Sequence, residues 1–397
     1  MACMSKTIAA CFTVLLSFVN PCVVGAQEKA DRGAVSRFTS SETVHSDGLN
    51  EDREIRIHLP SDYHTSSKKY PSLYVLDGEN SDRLNTAISA ITYLSRVRKL
   101  PQMIVIGVFN TDRTRDMTPE KIEQRKGSGE GDAFLEFVVS ELHPHVDSRY
   151  RTAPCRVLFG GSSAGTFTLY ALFSEPESFT GYVASRPVLN SLVDYTWDAD
   201  VIRRNAKRLF EDRPSLKGFL YIDYGETEDA LHDPGSIHQL SDILESSAPR
   251  DFRWEIRAMA ESGYRSAESL IDGLLAMFDG WYYSADSIYT NGFEGIDDHA
   301  SMLSERFGYR ITVGDLLVEA DLLMFGHRFL EREKPQEAVK LFEYAVTMNP
   351  DSWGALHGLA EAHMKDGQEG LAAELYKRLL KLNPENEYVA EKLRQLE

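Results

Sequence analysis

Residues 156–174 constrain this chain more than any other stretch. Arg156-Val157-Leu158-Phe159 is a short apolar strand candidate, Gly160-Gly161-Ser162-Ser163-Ala164-Gly165 follows it, and 166–173 reads as a helix. An apolar strand that enters a helix through a run of small residues belongs to a sheet with helices packed across its faces. In Gly161-x-Ser163-x-Gly165 a serine is flanked by glycines two residues away on each side. A turn that tight has no room for flanking side chains larger than hydrogen. It lifts the serine hydroxyl above the sheet edge, with the next amide aimed where charge develops on an attacked carbonyl oxygen. In this register Ser163 is the candidate nucleophile and the Ala164 amide is the first oxyanion donor.

The flanking sequence supplies the rest of such a sheet. Residues 54–59 alternate charged and apolar, and Pro60-Ser61-Asp62 ends the run. Short apolar runs follow at 72–76, 103–108, 218–222 and 254–259, the pattern of strands buried on both faces. Helical stretches at 86–97, 132–143, 198–210 and 236–246 lie between them. The alternation predicts an α/β domain over 45–285, its sheet mostly parallel and flanked by helices.

Both ends differ from this middle. Lys6, an apolar stretch over 8–19 and the small residues Val24-Gly25-Ala26 form a secretory signal pattern, predicting cleavage after Ala26 and a periplasmic or secreted chain. The apolar core is shorter than the ~18–20 residues a membrane span needs, so no membrane span is expected after cleavage. Cys3, Cys11 and Cys22 leave with the signal, and Cys155, before an apolar strand, is expected to be buried. Residues 27–44 are polar and aperiodic, and read as a flexible N-terminal arm. The net charge of −18 repels phosphate backbones and argues against nucleic acid as a partner. No metal-ligand spacing and no glycine-rich dinucleotide loop appear, so no cofactor is expected.

Residues 286–397 are helical and repetitive. Asn349-Pro350 and Asn383-Pro384 stand 34 residues apart, and Ala338, Leu341 and Phe342 recur as Ala372, Leu375 and Tyr376. Trp353, Leu356, Gly358-Leu359 and Ala362 fill the first-helix positions of a tetratricopeptide pattern. Helices are expected at 314–330, 335–348 and 368–382, with a cap at 385–396. So few repeats do not stand alone, so the tail is expected to pack on the α/β domain and to offer a surface to a protein partner.

The elbow needs partners from elsewhere. Strand 72–76 ends in Asp77-Gly78-Glu79, whose Gly78 or Glu79 amide is the second oxyanion candidate. Strand 218–222 ends in an acidic loop, where Glu228, then Asp229, are the candidate acids. In such sheets the base follows the last strand, but 260–268 holds no histidine. His232, His238 and Tyr264 are the candidate substitutes; without a base a serine hydroxyl is a poor nucleophile.

Four passages carry a resemblance: residues 69–78, residues 110–119, the elbow with Phe179-Thr180-Gly181-Tyr182, and Leu270-Ile271-Asp272-Gly273-Leu274. With them the chain resembles the enterochelin-esterase-like and esterase-D-like serine esterases of the α/β-hydrolase fold, in the variant with C-terminal tetratricopeptide-like helices. The resemblance implies hydrolysis of a small-molecule carboxylic ester through Ser163, with the Ala164 amide and the Gly78 region as oxyanion hole and Glu228 as acid. Three positions depart from the family pattern. Ser162 replaces the usual histidine before the nucleophile, Thr166 replaces a glycine, and Glu261-Ser262-Gly263 stands where Glu-x-His is usual. The alternative reading is a catalytically impaired homologue acting as a binding or scaffold protein.

Overall fold

The computed structural model describes residues 40–118, 120–121, 126–189, 199–226, 234–259 and 266–397. The expected signal segment lies outside them. Eight strands form one sheet: β1 (Ser40–Ser46), β2 (Glu51–His58), β3 (Tyr70–Leu76), β4 (Ile104–Val108), β5 (Thr152–Gly161), β6 (Gly181–Ser185), β7 (Gly218–Gly225) and β8 (Phe252–Met259). Their spatial order is β1-β2-β4-β3-β5-β6-β7-β8. β1 and β2 are antiparallel to their neighbours, and β4 through β8 are parallel. The parallel strands β3, β4 and β6 are buried along their whole length, as a sheet covered on both faces requires.

Two elements depart from the sequence reading. The described end of the presumed flexible arm is β1, which turns Val44 and Ser46 inward and pairs with β2 along its length. One buried apolar side chain in seven residues is too weak a period to read without its partner strand. β6 was not expected as a strand; its apolar run is only Tyr182-Val183-Ala184 between a glycine and a serine, and its burial comes from β5 and β7.

Helices cover both faces. One face carries the helical run from Gly131–Glu136 to His143–Arg149, with a π-helical turn at Phe137–Leu142, and the helices Ser163–Ser174, Ala199–Asp212 and Pro234–Ser247. Phe137, Phe167, Leu209 and Ile243 join that core. The other face carries Ser81–Arg96 and Ser266–Met277, and here the C-terminal helices join in. Leu84, Leu274 and Trp281 share one hydrophobic cluster with Leu303, Phe307, Phe325, Phe342 and Leu359. The repeat tail thus packs on the α/β part, as its length demanded. It contains helices Ala285–Phe307, Glu319–Glu331, Pro335–Met348, Trp353–Lys365, Glu369–Leu382 and Glu387–Arg394. The expected helix 314–330 is two: Val313–Leu316 ends where Leu317 and Val318 turn extended, and the Asp321 carboxylate accepts the Val318 N–H to start the next. Among the described residues no helix is long and apolar enough to cross a membrane.

Candidate active site

Six described non-glycine residues adopt left-handed φ, and three of them lie together at one edge of the sheet. Asp77 (φ 56°) follows β3, Ser162 (φ 60°) follows β5 and Arg186 (φ 42°) follows β6. These strands are neighbours and all end at the carboxyl edge. Such conformations cost about 1–3 kcal/mol each and persist where the surroundings over-determine them, often at functional sites. Ligands of open α/β sheets bind at this same edge.

The bend expected at Ser163 falls one residue earlier. β5 runs through Gly161, Ser162 takes φ 60° and ψ −127°, and the helix starts at Ser163. The Ser162 N–H donates to the Ser185 carbonyl at 2.9 Å, and its carbonyl accepts from Thr166 N–H at 3.0 Å. The tight contact across the turn is between Gly160 and Ala164: a Cβ at position 160 would lie 2.2 Å from the Ala164 carbonyl oxygen. The governing spacing is therefore Gly160-x-Ser162-x-Ala164, because the strand side of the contact excludes a methyl that the helix side accommodates. The amide after the bend is accordingly that of Ser163, not Ala164. Both serines are partly exposed.

The second oxyanion candidate also moves. The Gly78 N–H donates to the Val108 carbonyl at 2.9 Å and is spent there, which leaves the neighbouring Glu79 amide as the candidate. The turn itself is clamped. Asp77 accepts from Arg113 Nε at 2.7 Å and Asn110 Nδ2 at 2.7 Å and pairs with Arg83. Burial works to raise the Asp77 carboxyl, but Arg113, Arg83 and Asn110 outweigh it and hold it below the ordinary aspartate value. Asn110 Nδ2 also donates to Glu79 at 2.8 Å.

Residues 110–118 are fixed further by a buried ion network. Arg53, wholly buried, pairs with Asp116 and with Glu51, and its guanidinium stacks on Phe134 at 4.6 Å. Arg115 bridges Glu51 at 2.6 Å and Asp116 at 2.8 Å. This network gives the polar passage 110–118 a physical role: it anchors the loop that carries Arg113 to the turn at Asp77.

Glu228, Asp229, His232 and Tyr264 lie outside the described residues, as does Gly263. His238 is exposed on helix Pro234–Ser247 and its Nε2 stands 3.0 Å from the Tyr224 hydroxyl near the end of β7. Among the described residues no imidazole hydrogen-bonds Ser162 or Ser163. His143 is a core residue against Tyr74 and Phe179, and burial depresses its pKa to about 3. Cys155 is buried and its thiol is pushed up to about 12 by burial. No described group of His, Cys, Asp or Glu is arranged to hold a metal ion.

Sequence reasoning missed Arg186 and Asp223. Asp223, which opens the acidic stretch after 218–222 in the sequence, is fully buried inside β7, where it stands in register with Ser185. Burial pushes its carboxyl above the ordinary aspartate value, opposed by the Ser269 hydroxyl, Arg186 and the Ser185 hydroxyl. Nothing in one sequence marks an arginine that must turn left-handed.

A family model described as "Putative esterase" matches residues 46–266, over half of the chain. The chain belongs to this esterase family. A tetratricopeptide-repeat model matches residues 329–396 of this chain. The siderophore triacetylfusarinine C esterase of Aspergillus fumigatus is 29% identical over 197 residues, covering 48% of this chain and 60% of that protein. The ferri-bacillibactin esterase of Bacillus subtilis is 26% identical over 146 residues, covering 30% and 48%. The chain thus spans about half the length of the curated relatives it matches. An IroE-like serine hydrolase from Shewanella oneidensis superposes with a TM-score of 0.63 at 24% identity, over 76% of this chain and 98% of that one. An uncharacterised protein from Capnocytophaga ochracea gives 0.64 at 18%, over 90% and 99%. At these identities the two structures speak for the shared fold.

Proposed function

We propose that this esterase is an exported serine hydrolase that cleaves a small-molecule carboxylic ester through an acyl-enzyme on Ser162. The observation that carries the reading is the strained Ser162 bend between β5 and its helix, at the carboxyl edge of a parallel sheet. Ser162 Oγ attacks the ester carbonyl, and the Ser163 and Glu79 amides are the donors to the resulting oxyanion. The tetrahedral oxyanion collapses to an acyl-serine as the alcohol leaves with the proton given up by Ser162, and water then releases the acid and returns a proton to the serine. The two curated relatives named above are siderophore esterases, and a siderophore-type ester is the first substrate class to test.

The base is the weak point of this machinery. The family histidine position reads Gly263, and His238, the one candidate substitute that lies among the described residues, is hydrogen-bonded to Tyr224. Loss of one member of a catalytic triad typically costs several orders of magnitude in rate. That specific gap favours a second reading: a slow or inactive homologue that keeps the fold to bind an ester-like ligand or, through its repeats, a protein.

A fluorophosphonate probe tests both readings. Labelling that survives Ser163→Ala and vanishes in Ser162→Ala supports the hydrolase and its register; labelling that vanishes only in Ser163→Ala overturns the register. A folded chain that never labels supports the binder. Gly263→His, which returns an imidazole to the family position, is expected to accelerate labelling by at least ~100-fold, the low end of general-base contributions.

A further inference from the structure

We infer that Asp223 is a positioning residue for Ser162, acting through the turn at Ser185 and Arg186; this rests on the reading of Ser162 as the reacting group. Ser162 holds its left-handed backbone with its N–H on the Ser185 carbonyl at 2.9 Å. That carbonyl has little freedom, since a Cβ at Gly165 would lie 2.9 Å from it. The next residue, Arg186, is itself left-handed at φ 42°. An arginine has no intrinsic preference for that region, so something must hold it there.

Asp223 supplies the hold. The Arg186 N–H donates to the Asp223 carbonyl at 3.1 Å and to its Oδ1 at 3.2 Å. One acid residue thus closes two bonds on the strained amide, one from its main chain and one from its side chain. The Ser185 hydroxyl in turn donates to Ser269 Oγ at 2.8 Å, and both serines are fully buried. Ser269 sits in the first turns of helix Ser266–Met277, so the network joins the sheet edge to the helix above it.

Burying a carboxylate is costly, and an apolar side chain of similar size would fill this space without that cost. What only an acceptor side chain at this place supplies is the second bond on the Arg186 N–H, which a substitution removes while the main-chain bond stays. Its loss lets the Ser185 carbonyl shift and the Ser162 bend relax, moving the hydroxyl away from the oxyanion donors.

The test uses the full chain and a fluorophosphonate time course at several probe concentrations, which separates probe affinity from the bond-forming rate. Asp223→Ala is expected to slow the bond-forming step by about 10- to 100-fold, the scale of an ~1 Å misplacement, with probe affinity within about twofold. Asp223→Asn, which keeps an acceptor in place, restores most of the rate. Should Asp223→Ala fail to fold, Asp223→Val, which fills the space and carries no acceptor, replaces it with the same expectation. Folded alanine or valine variants that label at the parent rate, or an asparagine variant as slow as alanine, overturn the inference. A parent chain that does not label at all overturns the reading of Ser162 instead.

Discussion

Replacing Ser162 by glycine is expected to stabilise the protein while abolishing its reactivity. Ser162 carries φ 60° and ψ −127°, a region that glycine enters freely and other residues enter at a cost of about 1–3 kcal/mol. Against that gain stands the greater chain entropy glycine loses on folding, roughly 0.5–1 kcal/mol. The net is a stabilisation of roughly 1 kcal/mol, an increase of about 2 °C in Tm for a chain of this size. Ser163 provides the control, because it is the first residue of a regular helix. There, glycine costs roughly 0.5–1 kcal/mol and lowers Tm. The two neighbouring substitutions therefore move stability in opposite directions. Differential scanning fluorimetry of both variants beside the parent chain measures this, with fluorophosphonate labelling run in parallel. If Ser162→Gly melts below the parent, or if Ser163→Gly melts above it, the strain does not reside at Ser162 and the assigned register is wrong.

Three further outcomes follow from the packing and the charges. Asp116→Ala leaves the wholly buried Arg53 short of its buried partner and should cost about 3–5 kcal/mol, read as a lower urea midpoint. Trp281, 2% exposed between Phe278 and Phe307, links the sheet face to the repeat tail; Trp281→Ala should cost about 3–5 kcal/mol and melt both parts together in a single transition. The folded-state pKa of Asp77 lies below its reference value of 3.8, so its contribution to stability is present above pH 3.8 and is lost as pH falls through the folded value. Urea midpoints of the parent should accordingly fall more steeply below pH 3.8 than those of Asp77→Asn, and parallel curves would refute the role given to Arg113 and Arg83.

Much of the architecture was legible in the residues alone. Buried parallel strands announce themselves as apolar runs, and 72–76, 103–108, 218–222 and 254–259 all fall on strands. The 34-residue repeat was equally plain, since stacked helices must repeat their contacts. β1 and β6 were not, because a strand with one inward apolar residue, or with three apolar residues between a glycine and a serine, owes its existence to its neighbours.

The placement of the site divides the same way. A strand, a glycine-rich turn and a helix were enough to say that a serine stands at the sheet edge. They could not say which one, because Gly160-Gly161-Ser162-Ser163-Ala164-Gly165 admits two frames that differ by a single residue. Only the folded backbone chose between them: a strand glycine pressed on the Ala164 carbonyl forces the bend at Ser162. The same holds for Gly78, whose amide was consumed by Val108 on a strand 30 residues away, and for Asp223, turned from a loop acid into a buried clamp. Local pattern is set by short-range sterics and periodic burial, which a sequence displays. Which amide is free, and which bend is strained, depends on groups distant in the chain that meet only once the sheet has closed.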